Sequence, residues 1–168
     1  MTDIDLDAHA RDLMDANLYV ILGTADAEGI PWTSPVYFAT ADYAEIFWVS
    51  SPDTRHSRNL AARPRLSMVI FDSTVPAYHG RAVYLSGTAA ELTGRDLDRG
   101  IEIYPGDPGR GGSALSLEDV TAPAGWRLYR ATISEAFVLC PRRPRQPCPT
   151  HGLAIDHRAP VIPWRHPA

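Results

Sequence analysis

Lysine is missing from this chain: all 16 basic residues are arginine. That absence removes Schiff-base chemistry, a lysine general base and the lysine of a phosphate-binding loop. Anions must be held by guanidinium forks, imidazoles, hydroxyls or backbone amides. No apolar run approaches the ~20 residues that a membrane-spanning helix needs. The opening MTDIDLDAHARD is acidic and lacks the basic-then-apolar order of a secretory leader, so cytoplasm is the expected compartment. No serine sits in an elbow such as GxSxG, which leaves no case for a Ser-His-Asp triad. Neither a dinucleotide fingerprint nor a GKS/GKT ending is present.

What is present is the composition of an ordinary soluble domain, 45% hydrophobic and 21% charged over 168 residues. The net charge of −4 hides an asymmetry. Residues 1–53 carry ten acidic groups against one arginine, whereas the remainder carries ten against fifteen. An acidic whole argues against sequence-independent nucleic-acid binding, which rests on many phosphate contacts.

Periodicity predicts an amphipathic helix over Ile4 to Asn17, with Leu6, Ala10, Leu13 and Met14 on one side. Leu18 to Leu22 and Ile30 to Ala39 read as a hairpin around Asp26-Ala27-Glu28-Gly29. Glu45 to Ser50 is a third strand. Ser51-Pro52-Asp53-Thr54 reads as a helix start, with a hydroxyl cap and proline at the first helical position. That helix stops near Arg63, because Pro64 disfavours helical geometry before it. Strands follow at Leu66 to Phe71 and Arg81 to Leu92, where Gly87 marks a bulge or a close backbone approach. A helix over Arg95 to Tyr104 precedes Pro105 to Gly112, expected to be a mobile loop. Ser116 to Val120 forms a helical turn, and Trp126 to Leu139 is the last strand. Seven of the fifteen prolines lie from Cys140 onward, so residues 141–168 form a tail that wraps the body or a partner or stays partly disordered. The expected fold is mainly β, a closed or split antiparallel barrel with short peripheral helices.

Three constellations carry chemistry. Thr54-Arg55-His56-Ser57-Arg58-Asn59 puts Arg55 and Arg58 on one helix side near free amides, a combination suited to a phosphate. Trp32-Thr33-Ser34-Pro35-Val36-Tyr37 is a strand whose proline implies an edge or bulge. Trp48 is either barrel packing or a stacking platform for a planar ring. The tail brings Cys140, Cys148 and His151, three soft ligands for zinc with His157 or His166 as a fourth. The seven-residue gap between the cysteines is not a standard knuckle spacing, so free thiols are expected over a metal site or a disulfide, and no metal is assigned.

Gly23 to Asp72, together with Gly80 to Leu92, resembles the pyridoxamine 5′-phosphate oxidase-like, FMN-binding split-barrel family. The shared elements are the first hairpin, the Ser-Pro-Val strand, a strand ending in Ser50-Ser51, the helix ending Asn59-Leu60 before Arg63-Pro64, and the next strand. The resemblance covers roughly residues 5–140, which would then be a flavin-binding domain spanning 1–140. It implies a homodimer with FMN at the subunit interface, a small-molecule substrate and oxidoreductase activity. By position, Ser34, Pro35 and Val36 would line the flavin edge, and Val49 and Ser50 would approach the ring and ribityl chain. Arg55 and His56 would hold the phosphate, with Ser57 and Arg58 nearby and Arg81 contributing from the next strand. A histidine there makes the contact pH-dependent. The oxidase's Arg-x-His-x-Arg substrate motif is replaced by Arg127-Leu128-Tyr129-Arg130, and its lysine is missing near Phe38 and Ala39. The resemblance therefore implies a flavin cradle rather than oxidation of pyridoxamine phosphate itself, and no catalytic residue is assigned. Alternatives are a deazaflavin-dependent reductase, whose longer anionic tail suits the Arg-rich second half, or a non-catalytic flavin- or heme-binding module.

Overall fold

A computed structural model describes residues 4–164. The elements run α1 (Leu6–Ala16), β1 (Tyr19–Ala25), β2 (Pro31–Tyr37), β3 (Ala39–Ala41), β4 (Glu45–Ser50), α2 (Arg55–Ala62), β5 (Arg65–Phe71), β6 (Ala82–Glu91), α3 (Gly94–Ile103), β7 (Arg127–Leu139) and β8 (Arg158–Val161). Single 3-10 turns at Pro108–Arg110 and Glu118–Val120 interrupt the connection between α3 and β7. All strands join one antiparallel sheet in the order β2-β1-β5-β6-β7-β4-β3, with β8 also on β7.

The inner face of the curled sheet carries alternate residues of its strands. Val20 and Leu22 of β1, Met68 and Ile70 of β5, Val83 and Leu85 of β6, and Ile46 and Trp48 of β4 point into one core. Helix α1 closes that core with Ala10, Leu13 and Met14, and Asp5 caps it by accepting from the Ala8 amide at 2.9 Å. A smaller cluster, Phe47, Leu92, Leu97, Val120 and Leu128, lies on the other face of β4 and β7 beneath α3. Glu45 binds this helix down: its carboxylate pairs with Arg99 at 2.5 Å and Arg130 at 3.3 Å.

The irregularities fall where the residues require them. β6 slips register against β7 between Ser86 and Gly87. A Cβ at Gly87 would collide with the Thr132 carbonyl, so glycine permits both the bulge and the close approach expected there. β2, with Pro31 and Pro35, is the terminal strand of the order, as its prolines require.

Three expectations change in detail. The hydroxyl that caps α2 is Thr54, not Ser51. Ser51 to Thr54 instead form a turn, in which the Ser51 carbonyl accepts from the Thr54 amide at 3.2 Å. The strand expected over Ile30 to Ala39 breaks at Phe38 into β2 and β3. The Pro105–Gly112 loop is pinned rather than free: Arg110 donates to the carbonyls of Asp15, Asn17 and Phe38, and Tyr37 Oη donates to Pro105 O at 2.7 Å. The tail returns to the barrel, where β8 extends the sheet alongside β7 and the Ile162 amide donates to Asp7 at 2.7 Å.

Candidate functional site

Helix α2 lies across one end of the barrel, and its polar side chains divide by helical period. His56, Ser57, Asn59 and Leu60 turn inward and are buried, while Arg55 and Arg58 stay at the surface. The His56 ring spans two strands. Its Nε2 lies 2.8 Å from Ser50 Oγ on β4 and 3.2 Å from Thr54 Oγ1, and its Nδ1 lies 3.1 Å from Ser34 Oγ on β2. Trp32 Nε1 donates to the same Ser34 hydroxyl at 3.0 Å. Asn59 Nδ2 donates to Thr24 Oγ1 on β1 at 3.0 Å. Polar contacts therefore tie the helix to three strands.

Burial pushes the His56 pKa below its ordinary value of 6.5, so the imidazole is neutral at pH 7. Nearby, Tyr129 stacks on Trp48 with ring centroids 5.7 Å apart, and burial raises its phenol pKa while a hydrogen bond to Ser57 opposes the rise.

The surface side of the corner is cationic and aromatic. The Arg55 guanidinium sits 4.6 Å above the Trp32 ring, loosely paired with Asp26 at 3.8 Å. From this corner a groove runs over the outer face of β2, β1, β5 and β6. Two adjoining depressions of about 400 and 480 Å³ share Gly23, Thr33, Ser67 and Ser86. Arg65 lines the end near Trp32; Ile21, Val69, Tyr84 and Phe137 line the other. A Cβ on Gly23 would meet Ser67 Oγ, so glycine here keeps the groove floor open. Tyr19 and Phe71 on the same face are 59% and 48% exposed.

The structure brings together some of the expected site residues and separates others. Ser34, Ser50, His56 and Ser57 converge, with Ser50, His56 and Ser57 buried and Ser34 half-buried; the His56 ring contacts the hydroxyls of Ser34, Ser50 and Thr54, and Thr54 joins Ser57. His56 thus faces the barrel interior instead of standing beside Arg55 as a charged phosphate ligand. Pro35 is exposed on β2, and Val36 is buried in the barrel. Val49 points to the opposite side of β4, against the cluster under α3. Arg81 precedes β6 at the Phe71 end of β5, about 20 Å along the ladder from Arg65, so within one chain it is remote from α2. Trp48 is fully buried and occupied by Tyr129, which removes it as a stacking platform. On the final strand Arg127 pairs with Glu91 and Arg130 with Glu45 and Asp96, so both are engaged in structure. Sequence reasoning missed Thr24, Asp26, Arg65 and Ser67, whose roles depend on strand pairing.

The tail residues also converge. Cys140, Cys148, His151 and His157 each direct one ligand-type atom into a space 4.8 Å across. His166 lies outside the described residues.

A family model described as pyridoxamine 5′-phosphate oxidase matches residues 6–140. No curated protein sequence matches the chain. Among solved structures, it is similar to a heme binding protein from Mycobacterium smegmatis, with a TM-score of 0.68 and 17% identity over 95% of this chain and 60% of that one. It is also similar to the heme storage protein HutZ from Vibrio cholerae, with a TM-score of 0.65 and 21% identity over 80% of this chain and 95% of that one. A putative pyridoxamine 5′-phosphate oxidase from Listeria innocua superposes with a TM-score of 0.58 and 10% identity, over 80% and 98% of the two chains. At these identities the structural likeness is one of fold. The chain spans 60% of the length of the mycobacterial protein.

Proposed function

The chain belongs to the pyridoxamine 5′-phosphate oxidase family, and from that premise we propose that it is an FMN-binding oxidoreductase acting on a small molecule as a homodimer. The observation that carries this reading is the Arg55–Trp32 corner opening onto the groove over Gly23, Thr33 and Ser67. An FMN tail needs cations, and with no lysine in the chain Arg55 over Trp32 and Arg65 in the groove lining supply them at that end, with Arg58 exposed one helical turn beyond Arg55. Each charge-assisted hydrogen bond to a phosphate is worth roughly 1.5–3 kcal/mol, so two of them hold a mononucleotide. Thr33, Ser67 and Ser86 offer hydroxyls to the polar parts of the ligand. The backbone edge of β2, free of a further strand within the sheet, offers carbonyls beside Pro35.

Bound FMN would supply the hydride chemistry. The chain's own contribution is to orient the ring, bind the phosphate and exclude water. The buried His56 network contributes indirectly, because it fixes the end of α2 that carries Arg55. The outer face of β1, β5 and β6 supports the homodimer: Ile21, Val69, Tyr84 and Phe137 form an apolar surface, and a second copy would cover the groove.

The heme-binding neighbours support a second reading, in which the same groove holds a porphyrin. That reading needs an axial donor. Among the described residues the groove lining offers Tyr84 and the inward-turned Met68 but no histidine or cysteine, while Arg65 and the hydroxyls of Thr33, Ser67 and Ser86 suit a phosphate-bearing ligand; that balance favours the flavin. An absorption spectrum of freshly purified protein, followed by parallel titration with FMN, a deazaflavin cofactor and hemin, tests the choice. Saturable FMN binding at least tenfold tighter than the others supports the proposal, and tenfold corresponds to ~1.4 kcal/mol. A Soret band with no flavin uptake, or a deazaflavin preference, overturns it.

A further inference from the structure

The segment joining β7 to β8 crosses the end of the barrel with no helix or strand of its own. A loop this long lacks ladder hydrogen bonds and needs another source of order to offset the entropy of fixing it. Apolar burial does not supply it. From residue 140 to residue 157 the buried side chains are Cys140, 3% exposed, and Cys148, 1% exposed. Both thiols are free.

The two sulfurs and two imidazoles form a compact group. Cys140 Sγ lies 3.0 Å from Cys148 Sγ and 3.4 Å from His151 Nδ1. Cys148 Sγ lies 3.7 Å from His151 Nδ1, and His157 Nε2 lies 3.2 Å from that same nitrogen. Zinc bonds of about 2.3 Å to sulfur and about 2.0–2.1 Å to nitrogen, at tetrahedral angles, separate ligand atoms by roughly 3.3–3.8 Å. We propose that Cys140, Cys148, His151 and His157 form a structural zinc site that fastens the β7–β8 loop to the barrel.

The surroundings are those of a metal site. His157 Nδ1 lies 3.0 Å from the Ile155 carbonyl, which sets the tautomer and leaves the Nε2 lone pair facing the cluster. Cys148-Pro149-Thr150-His151 is a tight turn closed by the Gly152 amide donating to the Cys148 carbonyl at 2.8 Å, with Gly152 at φ 69°. The Cys140 amide donates to the His157 carbonyl at 3.0 Å, so the first and last ligands sit side by side where β7 meets β8. The seven-residue gap between the cysteines is therefore no obstacle, because strand pairing brings the ligands together. Two thiolates balance the dication, and four protein ligands leave no open position for catalysis. Three of the four ligands lie beyond residue 140, where the family match ends, so the site belongs to this chain's tail rather than to the family's barrel.

The test uses full-length, untagged protein. Metal analysis is expected to find one equivalent of zinc per chain, and the Cys148→Ser variant is expected to lose it while its circular dichroism stays that of the wild type. Chelation should expose both thiols to a colorimetric reagent and open trypsin cleavage after Arg142 and Arg145. If Cys148→Ser does not fold, cobalt(II) added to chelator-treated wild type decides: thiolate-to-cobalt charge-transfer bands support the site. Wild type that neither contains zinc nor binds cobalt(II) overturns it. So does a Cys140–Cys148 disulfide, seen as a mass two hydrogens lighter than the reduced chain. Zinc retained by folded Cys148→Ser would also place the metal elsewhere.

Discussion

His56 Nδ1 lies 3.1 Å from Ser34 Oγ, a contact that joins the first turn of α2 to edge strand β2. With Ser50 Oγ 2.8 Å from the other ring nitrogen, one neutral imidazole bridges β2 and β4. Replacing it by alanine strips one hydrogen bond from buried Ser50 and one from half-buried Ser34, leaving them Thr54 and Trp32 as partners. It also opens a void where the ring was buried, and a lost buried hydrogen bond alone costs about 1–3 kcal/mol. His56→Ala is expected to lower stability by about 2 kcal/mol or more, read as a lower urea midpoint at unchanged slope. An unaltered midpoint would show that the network does not hold the helix.

The same ring makes stability depend on pH in a defined direction. Burial holds the folded-state pKa of His56 below 6.5, and burial together with Arg81 does the same for His9, against a weaker opposing effect of Asp12. Below about pH 6.5 the unfolded chain takes up protons that the folded chain refuses, so stability falls as pH drops from that value toward the folded pKa. Urea midpoints at pH 7.5 and 5.5 should differ in that sense. Carboxylates add their own slope at lower pH, so the diagnostic comparison is His56→Gln, whose midpoint should change less over the same interval.

Much of this was legible in the chain. The stop of α2 before Pro64, the edge character of a strand carrying Pro31 and Pro35, and the need for glycine at 87 each follow from local backbone chemistry. The direction of His56 was harder to read. Helical period puts it beside Asn59 and Leu60 on the inner side, but its polarity suggests the surface until Ser34, 22 residues earlier, is known to lie opposite. Arg81 entered the candidate site through the family resemblance, not through any local signal in the sequence. The β5–β6 ladder runs antiparallel and carries it to the far end. The Cys/His cluster depended on β8, four residues containing Pro160, too short and too proline-marked to announce a strand.

Arg55 is the surface counterpart of His56, and its pairing with Asp26 at 3.8 Å is loose enough to be exchanged for a phosphate. Arg55→Ala is expected to weaken FMN binding more than tenfold, with the circular dichroism and urea midpoint near those of the wild type. Flavin fluorescence quenching on titration measures it. An unchanged dissociation constant would remove the phosphate assignment while leaving the fold description intact.

Gly87 has no room for a side chain, since a Cβ would enter the Thr132 carbonyl on β7. Backbone cannot step aside as a flexible side chain can, so Gly87→Ala must open the β6–β7 ladder at the bulge. The cost expected is about 2 kcal/mol or more, at the upper part of the range for overpacked sites. Amide exchange should locate the damage around Ser86 and Ile133, with α1 protected as before. Uniform loss of protection would instead indicate global destabilisation without a local opening.

The outer face of β1 and β5 links the oligomer to the ligand. Val69 pairs with Ile21 across these strands, half-buried in the wall of the groove that carries Thr33 and Ser67. A charge there leaves the barrel core untouched, because Met68 and Ile70, not Val69, point inward. A dimer that uses this face would have to desolvate that charge beside a single guanidinium, Arg158 over the Tyr84 ring, at a cost that a modest interface does not offset. Val69→Glu is therefore expected to give a folded monomer by light scattering. If the groove is completed by a second copy, the same variant loses FMN binding even though Arg55 and Trp32 are unchanged. A monomer that binds FMN as tightly as the wild type would separate the two claims: the apolar face would remain a dimer surface, and the flavin would be held within one subunit.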